Sequence, residues 1–194
     1  VTMTVYRVAV VLLCLSGVIP GARCEENWFK AAASGDPGFE VSGRAGKLVN
    51  WTHLVAVKGA ELTIDKNEKH SGEASCRISS QVPGGWGYIN TQYVGTWKIQ
   101  PGVNCRLRVW MKGENIPPGG AWISLNWRRQ DGTVDSKNGL RVASSERTFG
   151  WREFVSPPVA IPEGASGYVI QAGVLSSFTG TVWYDDISVE TDEP

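Results

Sequence analysis

The stretch Gln100-Pro-Gly-Val-Asn-Cys-Arg-Leu-Arg-Val-Trp-Met-Lys-Gly113 begins with a Pro-Gly turn and continues as a strict alternation of side chains. The apolar members of the alternation are Cys105, Leu107, Val109 and Met111, and the positions between them are Arg106, Arg108, Trp110 and Lys112. A period of two residues is typical of a β-strand with one buried face. The stretch therefore predicts a strand with its apolar set turned inward.

Similar short runs recur along the rest of the chain and are separated by residues that favour turns. The predicted strands are 74–79, 86–93, 105–112, 122–128, 151–161, 168–175 and 181–190, with turns at Pro83-Gly84-Gly85 and Thr179-Gly180 among others. Residues 129–150 are polar and are predicted to form a hairpin or a long loop. Because no stretch shows sustained helical periodicity, the sequence predicts an all-β fold, an antiparallel β-sandwich or jelly roll.

The net charge and the length of the chain argue against some classes of function. The chain has 194 residues, with 19 Lys and Arg against 19 Asp and Glu. This balance argues against a broad electrostatic surface for nucleic acid or for an anionic membrane. The length suits one domain, which we expect to be a monomer.

The N-terminus has the pattern of an export signal. Residues 8–19 form an apolar run of twelve that follows Arg7, and Ala22-Arg23-Cys24 offers a small-x-small cleavage site. The run is too short to span a bilayer as a helix, although an ordinary buried helix is the alternative interpretation. We expect residues 1–24 to be a signal peptide, and residues 25–194 to be a β-sandwich that is secreted or displayed at the cell surface.

Two cysteines remain in the predicted mature chain. Cys76 and Cys105 both occupy inward-facing positions of predicted strands. They could form a disulfide, which would close a loop and stabilise the fold, or they could be two buried free thiols. The sequence leaves both possibilities open, because it does not place their Cα atoms.

The outward-facing positions of three predicted strands combine aromatic rings with planar polar groups. They are Trp86, Tyr88, Asn90 and Gln92 in the first strand, Arg108 and Trp110 in the second, and Trp122, Asn126 and Arg128 in the third. Rings can stack on the C–H face of a sugar, and amide and guanidinium groups can bond its hydroxyls. The set predicts a carbohydrate-binding surface, whereas a solvated sheet face is the alternative for any single ring.

Five segments, in order, resemble carbohydrate-binding modules of the cellulase and xylanase type. They are Asp36-Pro-Gly-Phe-Glu40, His70-Ser-Gly-Glu-Ala-Ser-Cys-Arg-Ile78, the Gln100–Gly113 stretch, Trp151-Arg-Glu-Phe154 with Ile161-Pro-Glu-Gly164, and Gly180-Thr-Val-Trp-Tyr-Asp-Asp-Ile-Ser-Val189. The resemblance covers residues 27–190. It implies a galactose-binding-like jelly roll, and with it binding of a polysaccharide or oligosaccharide.

The same resemblance implies a structural calcium ion. The positions that match the ligands of the family are Glu40, Asp65 and Asp185 or Asp186. Hard oxygen ligands from distant strands are what Ca²⁺ prefers. Since adjacent residues of a strand point to opposite faces, we expect only one of Asp185 and Asp186 to bind the ion.

The sequence offers little support for catalysis. Glycoside hydrolysis needs two facing carboxylates, and the sequence has no Glu-x-Asp-x-x-Glu strand, whereas Asp185 and Asp186 suit an ion better. There is no Gly-x-Ser-x-Gly motif, and the side chain of His70 is expected to bond backbone in its turn. We therefore expect a non-catalytic carbohydrate-binding module, with glycoside hydrolases as candidate partners. The alternatives are a cell-surface structural or protein-interaction sandwich without sugar affinity, and a small glycoside hydrolase.

Overall fold

The computed structural model describes residues 29–31, 38–40, 51–54, 60–91 and 100–192, with the backbone alone at 29–31, 52–54, 84–91 and 176–177. These ranges hold ten β-strands and no helix. The strands are β1 (Phe29–Ala31), β2 (Trp51–Leu54), β3 (Ala60–Asp65), β4 (Ser75–Thr91), β5 (Asn104–Glu114), β6 (Ala121–Arg129), β7 (Val134–Ala143), β8 (Phe149–Val155), β9 (Val159–Ala160) and β10 (Ala165–Thr191). The predicted signal peptide, residues 1–24, and Gln92 lie outside the described residues. Within them, no helix has the length and apolarity needed to cross a membrane.

The strands form two antiparallel sheets that pack face to face. The first sheet has the order β2, the second half of β4, the first half of β10, β6 and β7. The second sheet has the order β3, the first half of β4, the second half of β10, β5 and then β8 with β9. Strand β1 pairs with the end of β10. The predicted all-β sandwich is confirmed.

Two long strands belong to both sheets. β4 continues through Pro83-Gly84-Gly85, and β10 continues through Thr179-Gly180, where turns were predicted. Those two turn predictions are wrong, because the chain bends there from one sheet into the other without reversing. The ladder registers shift at these places, between Val174 and Gly180 on β10, as expected where an extended strand bends.

The core lies between the two sheets and is filled by the inward alternation of each strand. In β5 the buried side chains are Cys105, Leu107, Val109 and Met111, and in β6 they are Ala121, Ile123, Leu125 and Trp127. Tyr184 of β10 crosses the core from the second sheet: its hydroxyl donates to the Gly173 carbonyl at 2.6 Å and accepts from the Trp122 backbone N–H at 3.2 Å. The phenol of Tyr184 therefore joins the backbones of β6 and β10 in the first sheet, next to the outward-facing Trp122.

Residues 129–150 contain the hairpin partner of β6. Strand β7 pairs with β6 around a tight turn, in which the Gly132 N–H donates to the Arg129 carbonyl at 2.9 Å. The hairpin predicted for this segment is confirmed, and it widens the first sheet by one strand.

The two cysteines do not form a disulfide. Both are free and buried. Cys76 lies opposite Tyr184 on one side of β10, whereas Cys105 lies opposite Thr191 on the other side. Seven residues of strand separate those two positions, which is roughly 20 Å at about 3.3 Å per residue. A disulfide needs Cα atoms within about 7 Å, so the fold itself keeps these thiols apart.

We expect Cys76 and Cys105 to resist alkylation in the folded protein. Burial raises the pKa of the Cys76 thiol, and burial followed by the charge of Asp192 raises the pKa of Cys105 to about 12. Because the thiolate is the reactive form, iodoacetamide at pH 8 should modify both residues more than about a thousandfold more slowly than an exposed cysteine.

Peptide mapping by mass spectrometry should therefore find both sites unmodified in the folded protein and modified after unfolding in urea without reductant. Sites that stay unmodified in urea until a reductant is added would show that the cysteines are oxidised and contradict the expectation.

Candidate functional site

The outer face of the first sheet, the face turned away from the core, brings two of the three predicted polar-aromatic strands together. β4 and β6 pair with opposite sides of β10. In register, Asn90 and Ser124 lie opposite Gln171, and Tyr88 and Trp122 lie opposite Gly173. Residues directly opposite each other in antiparallel strands share a sheet face. We call this surface the first outer face.

An amide pair lies at the centre of the first outer face. Asn126 of β6 donates from Nδ2 to Oε1 of Gln171 at 2.8 Å, and more weakly to Oγ of Ser124 at 3.3 Å. Asn126 is 6% exposed and Gln171 is half-buried. Gln171 is missing from the sequence prediction, although a signal existed: Tyr168, Ile170, Ala172 and Val174 alternate inward, which leaves Gln171 outward.

Trp122 lies one row from Gln171 and two rows from Asn126, and it is partly exposed. The guanidinium of Arg141, from the neighbouring strand β7, lies over the Trp122 ring at 4.6 Å from its centroid. The indole Nε1 of Trp122 is buried, and in the described part of the chain it has no hydrogen-bond partner. Arg141 was also missed from the sequence, because its strand was predicted only as a hairpin or loop.

The remaining predicted residues of β4 and β6 are placed by register and alternation. Arg128 follows Asn126 on the same face of β6 and is partly exposed. Trp86 lies between Gly85 and Gly87, in the irregular part of β4, and its side chain is not described. The side chains of Tyr88 and Asn90 are not described either. The role of these three residues in binding therefore stays a prediction.

Arg108 and Trp110 lie elsewhere, which corrects their assignment to the same surface. Both are on β5, in the second sheet, and face away from the core on the opposite side of the sandwich. The Trp110 ring stacks on the His70 ring, with centroids 3.6 Å apart and 13° between the planes. Arg108 forms ion pairs with Glu153 and Glu190. These partners occupy the groups that the sequence prediction assigned to a sugar.

Solved structures of the same architecture were found, although no family model and no curated protein sequence matches the chain. The CBM22-1 xylan-binding domain of Paenibacillus barcinonensis Xyn10C superposes with a TM-score of 0.53 at 12% identity, covering 84% of this chain and 99% of that domain. The match runs over nearly the whole of an isolated module. The chain has the fold of a carbohydrate-binding module. The predicted galactose-binding-like jelly roll is thereby confirmed.

Other structures place the same module fold within larger proteins. The enzymatically active domain of tailspike protein 4 from bacteriophage CBA120 matches with a TM-score of 0.58 at 18% identity, over 84% of this chain. This chain spans about a fifth, 21%, of that domain. The CBM22-1 and GH10 modules of Clostridium thermocellum xylanase 10B match with a TM-score of 0.51 at 17% identity, over 80% of this chain and 27% of theirs.

Two of the four predicted calcium ligands of the module fold face one small space. A Cβ on Gly38 would lie 3.1 Å from Oε1 of Glu40 and 3.7 Å from Oδ1 of Asp185. Because residue 38 is glycine, this space stays open between the two carboxylates. Their oxygens are of the type that calcium prefers, so Glu40 and Asp185 fit the implied ion in their chemistry.

The carboxylates of Asp65 and Asp186, the other two predicted calcium ligands, form hydrogen bonds with other groups of the protein. Asp65 accepts from the Trp183 indole at 2.9 Å and from the backbone N–H groups of Asn67 and Glu68. Asp186 accepts from Nδ1 of His70 at 2.7 Å and from Oγ of Ser71. The prediction that the side chain of His70 bonds backbone is therefore wrong, because it bonds the Asp186 carboxylate. In the described ranges, no three Asp, Glu, His or Cys side chains form a metal-binding group.

Asp185 anchors the turn that carries His70. Its Oδ2 accepts from the backbone N–H groups of His70 at 2.8 Å and Ser71 at 3.1 Å, and its Oδ1 accepts from Asp186 N–H at 2.8 Å. The residue is fully buried. Burial raises the pKa of the Asp185 carboxyl to about 6, although the three N–H donors oppose that shift. A cation beside Glu40 would favour the ionised form further.

Proposed function

We propose that this chain is a non-catalytic carbohydrate-binding module that binds a polysaccharide or oligosaccharide on the first outer face. One observation carries the proposal: the register places Tyr88 and Asn90 on one side of Gln171 and Gly173, with Trp122 and Ser124 on the other. An aromatic and a polar row thus run across adjacent strands, at right angles to them. The module fold of the structural neighbours adds support.

The chemistry of the first outer face suits sugar hydroxyls. An amide side chain carries both donors and an acceptor, and the hydrogen bond from Asn126 to Gln171 holds the two amides in position before a ligand arrives. Since few side chains would have to be ordered on binding, the entropic cost of binding is small. We expect dissociation constants of about 10 μM to 1 mM, or about −4 to −7 kcal/mol.

Two accompanying proposals rest on the sequence and on the carboxylate pair. We propose that the protein is exported and acts outside the cell or at its surface, since residues 8–19 have the length and apolarity of a signal-peptide core. We also propose that calcium, where bound, is held by Glu40 and Asp185, which would tie residues near the start of the domain to its last strand.

The binding face is tested by two tryptophan variants. Trp122→Ala should weaken binding of the preferred polymer about tenfold or more, because it removes the ring and the support of Arg141. Trp110→Ala is the matched control, since the same substitution falls on the opposite side of the sandwich; it should leave affinity unchanged. Gln171→Ala should weaken binding by removing the amide that orients Asn126. Titrations of the intrinsic fluorescence with xylan, β-glucan, mannan and galactan measure these effects.

The alternatives give different results in the same experiment. Loss of binding in Trp110→Ala with retention in Trp122→Ala would move the site to the second sheet. No binding of any polymer by a folded protein would favour the structural or protein-interaction sandwich. Release of reducing sugar from a bound polymer would show a glycoside hydrolase.

A further inference from the structure

Arg141 adds a cation to the first outer face. It lies on β7 opposite Ser124 of β6, and its side chain is exposed. Its guanidinium carbon lies over the Trp122 ring, 4.6 Å from the ring centroid, and this cation–π contact limits the movement of the group. A guanidinium ordered in this way has less rotational freedom to lose when it meets a ligand.

Arg128 is a second cation on the same face. It follows Asn126 in the outward alternation of β6, four residues along the strand from Ser124, which lies opposite Arg141. Its Nη2 is 3.6 Å from the position of a Cβ on Gly132, so the guanidinium lies at the end of the face next to the β6–β7 turn. The backbone positions of the two arginines are therefore about 13 Å apart along the strand direction, by strand geometry.

Neither cation forms an ion pair with a carboxylate of the described residues, whereas five other cations of the fold do. The paired cations are Arg106 and Arg108 with Glu190, Lys112 with Glu68, Arg129 with Asp135, and Arg152 with Glu146. By register, the outward positions of the first sheet include Thr52, Leu54, Tyr88, Asn90, Trp122, Ser124, Asn126, Arg128, Val134, Arg141, Ala143, Gly167, Val169, Gln171 and Gly173. None of these is acidic, so the face carries positive charge without internal compensation.

We propose that the polysaccharide bound on the first outer face carries carboxylate groups, as uronic acid residues do, and that Arg141 and Arg128 bind them. The planar fork of a guanidinium matches both oxygens of a carboxylate, and such charge-assisted hydrogen bonds are stronger than neutral ones. The inference rests on the proposed function and names its substrate class: Trp122 and the amide pair contact the sugar rings and hydroxyls, and the two arginines select acidic units.

The experiment compares each acidic polymer with its own neutral form. The full chain is titrated with glucuronic-acid-substituted xylan, polygalacturonate and alginate, and with the same three polymers after reduction of their carboxyl groups to hydroxymethyl groups. One acidic polymer should bind about tenfold more tightly than its reduced form. Arg141→Gln should remove most of that difference, and Arg128→Gln about threefold of it. Arg147→Gln, an exposed residue of the loop after β7 with the same loss of charge, should change nothing.

The outcomes separate this inference from the proposed function. Equal binding of acidic and reduced polymers, with Trp122→Ala still harmful, would overturn the acidic selectivity and keep the binding module. Equal losses in Arg147→Gln and Arg141→Gln, or tighter binding of a sulfated polymer such as dextran sulfate, would indicate unspecific charge attraction and overturn the inference. No binding of any polymer would overturn both proposals.

Discussion

Replacing Gly180 by alanine should lower the free energy of unfolding by about 3 kcal/mol, which corresponds to a fall of about 10 °C in melting temperature for a domain of this size. Gly180 lies where β10 leaves β6 of the first sheet and begins to pair with β5 of the second. The substitution therefore acts on the connection between the two sheets.

Two independent costs combine at Gly180. Its φ is +96°, a backbone conformation that side chains with a Cβ rarely adopt, and alanine there costs about 1 kcal/mol. The new Cβ would also meet backbone: the Asn115 carbonyl oxygen at 2.6 Å and the Glu114 carbonyl oxygen closer still. Since main-chain oxygens cannot rotate away, the strand must shift, at a cost of about 2 kcal/mol.

Two other glycines separate these costs. Gly164 has φ +77° with nothing within 4 Å of a Cβ, so Gly164→Ala should cost only about 1 kcal/mol. Gly150 has open space and no positive φ, so Gly150→Ala should be neutral or slightly stabilising. Urea unfolding of the three variants gives the comparison. Equal losses for Gly180→Ala and Gly164→Ala would contradict the close approach of backbone at residue 180.

The central residues of the strands were predictable from sequence, because the alternation of apolar and polar side chains depends on neighbouring residues alone. The inward sets of β5 and β6 follow from a period of two and are buried as expected. The course of the chain between strands was not predictable in the same way. Pro83-Gly84-Gly85 and Thr179-Gly180 have the composition of turns, yet they are the bends of β4 and β10, because glycine permits a bend as readily as a reversal.

The residues of the candidate site could be predicted from sequence only in part, for a similar reason. Alternation separates inward from outward residues of one strand but does not say which of two outer faces a strand contributes to. Trp110 and Trp122 look equivalent in sequence, and only the pairing of their strands puts them on opposite sides of the sandwich. Arg141 could not be found, because its importance comes from the Trp122 ring beneath it.

Asp185→Asn should lower the free energy of unfolding by about 3 kcal/mol, although the two side chains have nearly the same shape. Oδ2 accepts two backbone N–H groups, from His70 and Ser71, and Oδ1 accepts a third. An asparagine has one oxygen and one NH₂ group, so in either orientation a donor would face a backbone donor. Leaving one or two buried N–H groups without an acceptor costs about 1–3 kcal/mol each.

Asp186→Asn is the matched control for Asp185→Asn. Asp186 has a φ of +45°, which asparagine tolerates, and its side chain is a third exposed. Its acceptors meet only the side chains of His70 and Ser71, so the loss should be below about 1 kcal/mol. Thermal unfolding of both variants measures the contrast, and equal losses would show that the backbone hydrogen bonds of Asp185 add nothing beyond the side-chain contacts of Asp186.

Both unfolding experiments are repeated with excess calcium and with a chelator. The comparison distinguishes the stability that comes from the hydrogen bonds of Asp185 from the stability that comes from a bound ion. The loss in Asp185→Asn should persist under chelation, because the three N–H groups lose their acceptor whether or not a cation is bound. If Glu40 and Asp185 share calcium, the ion should raise the melting temperature of the unmodified chain and of Asp186→Asn, but not of Asp185→Asn. Equal stabilisation of all three proteins would place the ion elsewhere. A loss in Asp185→Asn that vanished under chelation would show that Asp185 stabilises the fold through the ion and not through the turn.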